Sequence, residues 1–94
     1  MKNYEIMTIT KGSLGEEAFK NYSQQLTTFI QDLGGKVVET DPWGKRKLSY
    51  QVGSDTEGFF TVSTFELEPA KMDSLKAKLN LVDSLIRYLV TAKS

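Results

Sequence analysis

Apolar and polar residues repeat with two different periods along this chain, and the changes of period divide it into six segments. Tyr4 to Thr10 is rich in β-branched and aromatic residues and is followed by Lys11-Gly12, so it predicts a first strand. Within it, Ile6 to Ile9 carries apolar side chains on both faces. That pattern favours a central position in a sheet over an edge.

The next segment has the period of a helix. Ser13-Leu14-Gly15-Glu16 matches a capping box, in which Ser13 and Glu16 each accept from the other's backbone amide. Gly34-Gly35 predicts the end of the helix, because glycine readily takes the left-handed conformation just beyond a helix. One apolar stripe connects the two signals: Phe19, Tyr22, Leu26, Phe29, Ile30 and Leu33.

Two long strand-like segments follow. Lys36 to Asp41 predicts a second strand, and Pro42 predicts a bulge or kink, because proline cannot donate to a strand ladder. The strand resumes and runs to Val52. The turn residues 53–56 then lead into a strand over Gly58 to Leu67, so the two strands are predicted to form an antiparallel hairpin.

The last third of the chain supplies one more helix and one more strand. Pro69 suits a first helical turn, an apolar stripe follows, and Asn80 is predicted as a left-handed C-cap. Leu85 to Thr91 is the last strand. The order β-α-β-β-α-β predicts a ferredoxin-like α+β fold, in which both helices cover one side of a four-stranded antiparallel sheet. The candidates for the uncovered side are Met7, Ile9, Phe60, Val62, Leu85, Arg87 and Leu89.

Composition limits the function further. Ninety-four residues predict one domain spanning 1–94. Twelve basic and twelve acidic residues cancel, which argues against a protein that coats nucleic acid by bulk charge and allows a local basic patch. Cysteine and histidine are absent, so thiolate or histidine catalysis and sulfur-based zinc sites are excluded. No carboxylate cluster, phosphate-binding loop, signal peptide or membrane span is evident, so we expect an intracellular, non-enzymatic protein without metal or cofactor.

The most informative stretch is Trp43 to Val52, where three cations lead directly into an apolar alternation. Lys45-Arg46-Lys47 suits contact with phosphates, but a solvated strand entrance explains a bare basic triplet at least as well. Trp43 suits either a base or protein partner, or a half-buried position at the kink. Arg87 lies within an apolar strand, so it needs solvent or an anion, and Lys2 is expected beside it.

An RNA-recognition module shares this order of elements, but its motif fails here. The corresponding run, Glu57 to Thr64, begins with an acid where the motif has a base. Thr61 and Thr64 replace stacking aromatics, and Met7 stands in the first strand where another is wanted. The sheet therefore lacks the aromatic side chains on which RNA bases stack in such modules.

With the run Gly44-Lys45-Arg46-Lys47-Leu48-Ser49-Tyr50 as its most specific feature, the chain resembles, over its whole length, ribosomal protein six of the bacterial small subunit. Glycine, basic residues and Leu-Ser-Tyr in one run are specific to that family, unlike a basic triplet alone. The residues that carry the resemblance are Tyr4-Glu5, Gly34-Gly35, Gly44-Lys45-Arg46-Lys47-Leu48-Ser49-Tyr50, Val52, Glu57-Gly58-Phe59-Phe60, Phe65 and Arg87.

The resemblance implies a structural role in the cytoplasmic ribosome. Family members bind small-subunit ribosomal RNA in the platform region together with small-subunit ribosomal protein eighteen (protein eighteen below), which lies against the sheet. By position, Arg46 and Lys47 are the first candidates for RNA contact, followed by Lys45, Lys2 and Arg87. Phe60, Val62 and Trp43 are the candidates for the partner surface.

An alternative from another class stays open. A ferredoxin-like module could self-associate through its bare sheet and bind a small acidic ligand, with Lys45 and Arg46 lining a pocket at the dimer edge. A hydrolase on the same fold is less consistent with the sequence, because no glycine-rich loop with an arginine stands near the first helix.

Overall fold

The elements of the chain follow one another in the predicted order. The computed structural model describes the backbone of residues 1–12, 15–52 and 55–93, and their side chains except at 49–52 and 55. The elements are β1 (Lys2–Lys11), α1 (Gly15–Asp32), β2 (Lys36–Val52), β3 (Asp55–Leu67), a 3-10 turn (Pro69–Lys71), α2 (Met72–Leu79) and β4 (Leu85–Ala92). The strands form one antiparallel sheet in the order β2-β3-β1-β4. The ferredoxin-like prediction is confirmed, with β1 inside the sheet.

The core lies between one face of this sheet and the two helices. Alternate residues of β1 and β3 point into it, so Ile6 and Phe65 are fully buried. Burial raises the pKa of Tyr22 on α1, because the phenolate is disfavoured away from water. The buried apolar residues, from sheet and helices together, are Tyr4, Ile6, Tyr22, Leu26, Ile30, Phe65, Leu67, Leu75 and Leu79.

Helix α1 ends just before Gly34-Gly35, as predicted, and its end forms a Schellman motif. Gly34 has a φ of 82°, and its amide donates to the carbonyl of Gln31 at 3.0 Å. The amide of Gly35 donates to the carbonyl of Ile30 at 2.8 Å. These bonds use carbonyls that the end of a helix otherwise leaves without a partner. The predicted cap at Ser13 lies outside the described residues.

Gly35 also allows close packing between the C-terminal end of α1 and the sheet. A Cβ at this position would meet the backbone oxygen of Glu66 and would lie 2.9 Å from side-chain carbons of Ile30 and Leu67. We expect Gly35→Ala to lower the free energy of unfolding by about 3 kcal/mol, since a backbone oxygen cannot move aside as a flexible side chain does. Urea denaturation measures this loss. Gly34→Ala is the control: open space surrounds it, so only left-handed strain of about 1 kcal/mol is expected. Equal losses in both variants would contradict the close approach.

The C-terminal end of α2 differs from the prediction in one respect. Asn80 follows the helix as expected, but its φ of −65° and ψ of −15° are right-handed. Its side chain has another use, because its Oδ1 accepts a hydrogen bond of 3.0 Å from the hydroxyl of Tyr88 on β4. The prediction of Asn80 as the C-cap is confirmed, but its expected left-handed geometry was wrong, and its side chain connects α2 to the edge of the sheet.

Bulges set which face each side chain occupies. The predicted irregularity at Pro42 is confirmed as a register shift between Pro42 and Gly44, and a second shift falls between Val37 and Glu39. Another shift, in the pairing of β1 with β4, places Leu85 opposite Thr10. Because Thr10 is buried, Leu85 packs against the core. Its predicted place on the uncovered face was therefore wrong.

Candidate nucleic-acid interface

The helices leave one face of the sheet uncovered, and we call it the open face. The charge of its side chains changes from one end of the strands to the other. Residues directly opposite each other in neighbouring strands share a face. The register therefore arranges the open face in rows across β2, β3, β1 and β4. A first row of Lys36, Glu66 and Asn3, in which one positive and one negative charge cancel, is followed by four more rows: Glu39–Thr64–Glu5–Thr91, Asp41–Val62–Met7–Leu89, Gly44–Phe60–Ile9–Arg87 and Arg46–Gly58–Lys11.

The basic triplet of β2 is divided between the two faces of the sheet. Arg46 lies opposite Gly58 on the open face, whereas Lys45 lies opposite Phe59 on the helix side. The Nζ of Lys45 is 6.0 Å from the centroid of the Phe59 ring, and that ring stacks on Phe19 of α1 at 5.5 Å. Lys47 also falls on the helix side, opposite Glu57. A pocket lined jointly by Lys45 and Arg46 is therefore not supported.

Arg46 is oriented by its own strand. The guanidinium carbon lies 5.4 Å from the centroid of the Trp43 ring, within the range of a cation–π contact. The chain bends between the two residues at Gly44, whose φ of 89° suits glycine best. Trp43 remains 47% exposed. A guanidinium resting on an indole loses less side-chain freedom on binding than a free one, and its donors stay available to phosphate oxygens.

Arg46, Arg87 and Lys11 gather at one end of the open face, called the basic end below. Arg87 lies on β4 beside Ile9, one row from Arg46, and Lys11 occupies the row of Arg46 on β1. Three strand spacings separate β2 from β4, or about 14 Å. Sequence reasoning missed Lys11 because Lys11-Gly12 marked the end of a strand. Lys11 pairs with Gly58, which on its other side pairs with Arg46. Only this strand pairing shows that Lys11 belongs to the basic end.

Lys2 does not lie near Arg87, and that expectation was wrong. It pairs with Leu67, whereas Arg87 pairs with Ile9, seven residues further along β1. At the rise of a strand this separation is roughly 23 Å. Lys2 therefore belongs to the opposite end of the sheet.

The middle of the open face is apolar, where the sequence placed the partner surface. Phe60 and Val62 of β3 are half-buried there, beside Met7 and Ile9 of β1. On β4, Leu89 is 58% exposed. Large apolar side chains in contiguous rows on one face are typical of a protein interface. We call these five apolar residues, Met7, Ile9, Phe60, Val62 and Leu89, the apolar centre.

The end of the open face beyond the apolar centre is acidic, and this too was not predicted. Glu39 and Glu5 share one row, and Asp41 stands in the next. Glu5 also lies 3.7 Å from the Nζ of Lys93. Glu39 and Asp41 lie on β2 and Glu5 lies on β1, so no single local pattern identifies all three acids. They become a group only through the pairing of β2 and β1 with β3, which lies between them.

In residues 1–12, 15–52 and 55–93, no three carboxylates come together as ligands for a metal ion. No helix among the same residues is long and apolar enough to cross a membrane.

Comparison with known proteins gives one consistent result. The family described as Ribosomal protein S6 matches residues 3–92. The chain is 38% identical over 91 residues to small ribosomal subunit protein bS6 of Dictyoglomus turgidum, covering 97% of this chain and 94% of that protein. It is 38% identical over 90 residues to bS6 of Bifidobacterium longum, covering 96% and 93%. The crystal structure of 30S ribosomal protein S6 from Thermotoga maritima has the same fold, with a TM-score of 0.90 at 24% identity over 98% of this chain and 87% of that one.

Proposed function

The chain belongs to the ribosomal protein S6 family, and on that premise we propose that it binds small-subunit ribosomal RNA together with protein eighteen. The resemblance found in the sequence is confirmed. As a member of this family, the chain is a structural protein of the small ribosomal subunit in the cytoplasm and not an enzyme.

The observation that carries the RNA proposal is the gathering of cations at the basic end. Arg46, Arg87 and Lys11 come from three different strands and lie at the same end of one face. Phosphate oxygens are bound by such groups, arginine through two parallel hydrogen bonds and lysine as a point charge. Because the chain has no net charge, this local group supplies the attraction to RNA that the whole protein does not.

Lys45 and Lys47 extend the same contact around the edge of the sheet. They point to the helix side of β2, which is an edge strand. A phosphate backbone that passes over this edge meets Arg46 on one face and the two lysines on the other. Glu57 stands opposite Lys47 and reduces its field. Arg46 therefore makes the central contact, and Lys47 an accessory one.

The protein partner occupies the apolar centre of the open face. Phe60 and Val62 stand in adjacent rows between the acidic and the basic end. A partner seated there removes apolar surface from water and excludes water around the cations at its rim. Trp43 lies beside Arg46, so it stands where the protein contact adjoins the RNA contact. RNA and protein eighteen are then bound side by side, which permits each to strengthen the binding of the other.

The proposal is tested by a binding cycle with a platform fragment of small-subunit RNA. Its affinity is measured for this chain alone and for this chain with saturating protein eighteen, at several salt concentrations. We expect at least about tenfold tighter binding with the partner, a coupling near 1.4 kcal/mol. We also expect a negative log–log salt slope, because phosphate contacts release counterions. Identical affinities with and without protein eighteen would contradict joint binding.

A further inference from the structure

We propose that the open face also docks against the open face of a second copy of this chain, forming a two-fold symmetric dimer. This dimer requires neither RNA nor protein eighteen. It uses the same surface that the proposed function gives to the partner, so the dimer and the partner complex exclude each other. The second copy is the occupant because the chemistry of the face is complementary to itself.

The self-complementarity lies in the order of charges along the strands. The row of Glu39 and Glu5 carries two carboxylates, and the row of Asp41 carries one. The next row carries the single cation Arg87, and the last row carries two. The net charges of these four rows are therefore −2, −1, +1 and +2. Rows at equal distances from the midpoint carry equal and opposite charges.

A two-fold axis through that midpoint brings opposite charges together. The axis lies in the interface, perpendicular to the strands, between the row of Val62 and the row of Phe60. Rotation about it lays β2 on β2 and reverses the strand direction. Glu39 of one copy then faces Arg46 of the other, and Glu5 faces Lys11. An axis along the strands would instead oppose the acidic ends of both copies, which like-charge repulsion disfavours.

The apolar centre falls on the axis in the same arrangement. Val62 of one copy meets Phe60 of the other, and Met7 meets Ile9, because these residues occupy the two central rows of β3 and β1. Leu89, the most exposed of the central side chains at 58%, becomes covered. Two twisted sheets pack face to face through such side chains, with their strand directions within about 30° of each other. Apolar contact at the centre and ion pairs at the ends is the usual anatomy of an interface.

The size of the face sets the strength of the dimer. Four strands and four rows span roughly 19 by 27 Å, or about 500 Å² of projected area on each copy. The total of about 1,000 Å² is at the lower end of specific interfaces, which is the range of weak and transient complexes. We therefore expect a dissociation constant in the range of about 10–100 µM. Salt should weaken the dimer, because its end contacts are exposed ion pairs.

Charge reversal on β2 tests the register of the dimer. Glu5 is already 3.7 Å from Lys93, so the contact between Glu39 and Arg46 is the cleaner probe. Both residues are exposed on an edge strand, and their reversal leaves the core unchanged. In Glu39→Arg or Arg46→Glu alone, like charges face each other twice in the dimer. In an equal mixture of the two variants, opposite charges face each other at both contacts.

Sedimentation equilibrium from about 5 to 500 µM protein at low salt measures the dissociation constant of the dimer for each variant and for the mixture. We expect dimers of the native chain, at least tenfold weaker association of each single variant, and recovery in the mixture. Lys76→Glu, a reversal at an exposed site on α2, should leave association unchanged. A native chain that stays monomeric overturns the proposal, as do single variants that dimerise normally or a mixture that does not recover. Because no RNA or protein eighteen is present, failure here leaves the proposed function standing.

Discussion

Replacing Phe60 by aspartate is expected to weaken the binding of protein eighteen by at least about 100-fold while the fold survives. Phe60 lies in the apolar centre, between Gly44 and Ile9, where a partner must displace water to bind. A carboxylate between Gly44 and Ile9 loses its hydration when the partner covers it, and this desolvation weakens the complex. Titration of protein eighteen by calorimetry measures the loss.

The fold tolerates this change because Phe60 is half-buried on the open face and contributes nothing to the buried core under the helices. We expect the thermal midpoint of Phe60→Asp to stay within about 8 °C of the native value, equivalent to 1–2 kcal/mol in a domain of this size. Ser74→Asp, at an exposed position of α2, adds the same charge on the helix side and should bind protein eighteen normally. Native affinity in the folded Phe60→Asp variant would show that the partner sits elsewhere.

Removing both arginines of the basic end is expected to weaken binding of a platform RNA fragment by about 10- to 100-fold at low salt. Arg46→Ala/Arg87→Ala deletes the two guanidiniums that the open face presents at this end. If each arginine neutralises one phosphate, the log–log salt slope should become shallower by about 1.5–2. Filter binding or fluorescence anisotropy across a salt series, with protein eighteen present, gives both quantities.

A matched pair of lysines controls for loss of charge alone. Lys2→Ala/Lys36→Ala removes two exposed cations from the opposite end of the sheet, where Lys2 pairs with Leu67 and Lys36 with Glu66. We expect the affinity to fall by less than about threefold and the slope to stay nearly unchanged, since distant charges are screened beyond about 10 Å at 0.1 M salt. Equal losses in the two double variants would mean that RNA responds to net charge and not to the basic end.

The sequence predicted the fold well because its local signals agree with one another. Apolar periods, Gly34-Gly35 and Pro42 each specify a feature that a few neighbouring residues determine. The predictions from sequence were wrong where contacts between residues far apart in the chain determine the local structure. Leu85 was placed on the wrong face because a bulge in the pairing of β1 with β4 leaves no mark in the sequence of β4. Left-handed geometry was expected at Asn80 because the local sequence does not reveal that its side chain accepts a hydrogen bond from Tyr88 on β4.

The candidate site divides in the same way. Arg46 could be selected because its neighbours form a recognisable run, and Arg87 because a charge is conspicuous in an apolar strand. Lys11 and Glu39 could not, since each gains its place only from the residue opposite it on another strand. The triplet was read as one unit, but a strand sends consecutive side chains to opposite faces. Only Arg46 of the three joins the open face.

Recovery of the tagged chain from a bacterial lysate, with and without nuclease, tests most directly whether it joins RNA and a protein partner in the small subunit. Without nuclease, we predict that small-subunit RNA and protein eighteen are recovered together. After nuclease, we predict that protein eighteen stays with the native chain and is lost from Phe60→Asp, whereas Arg46→Ala/Arg87→Ala retains it. A chain that recovers no small-subunit RNA before digestion, and no protein eighteen after it, would contradict the account.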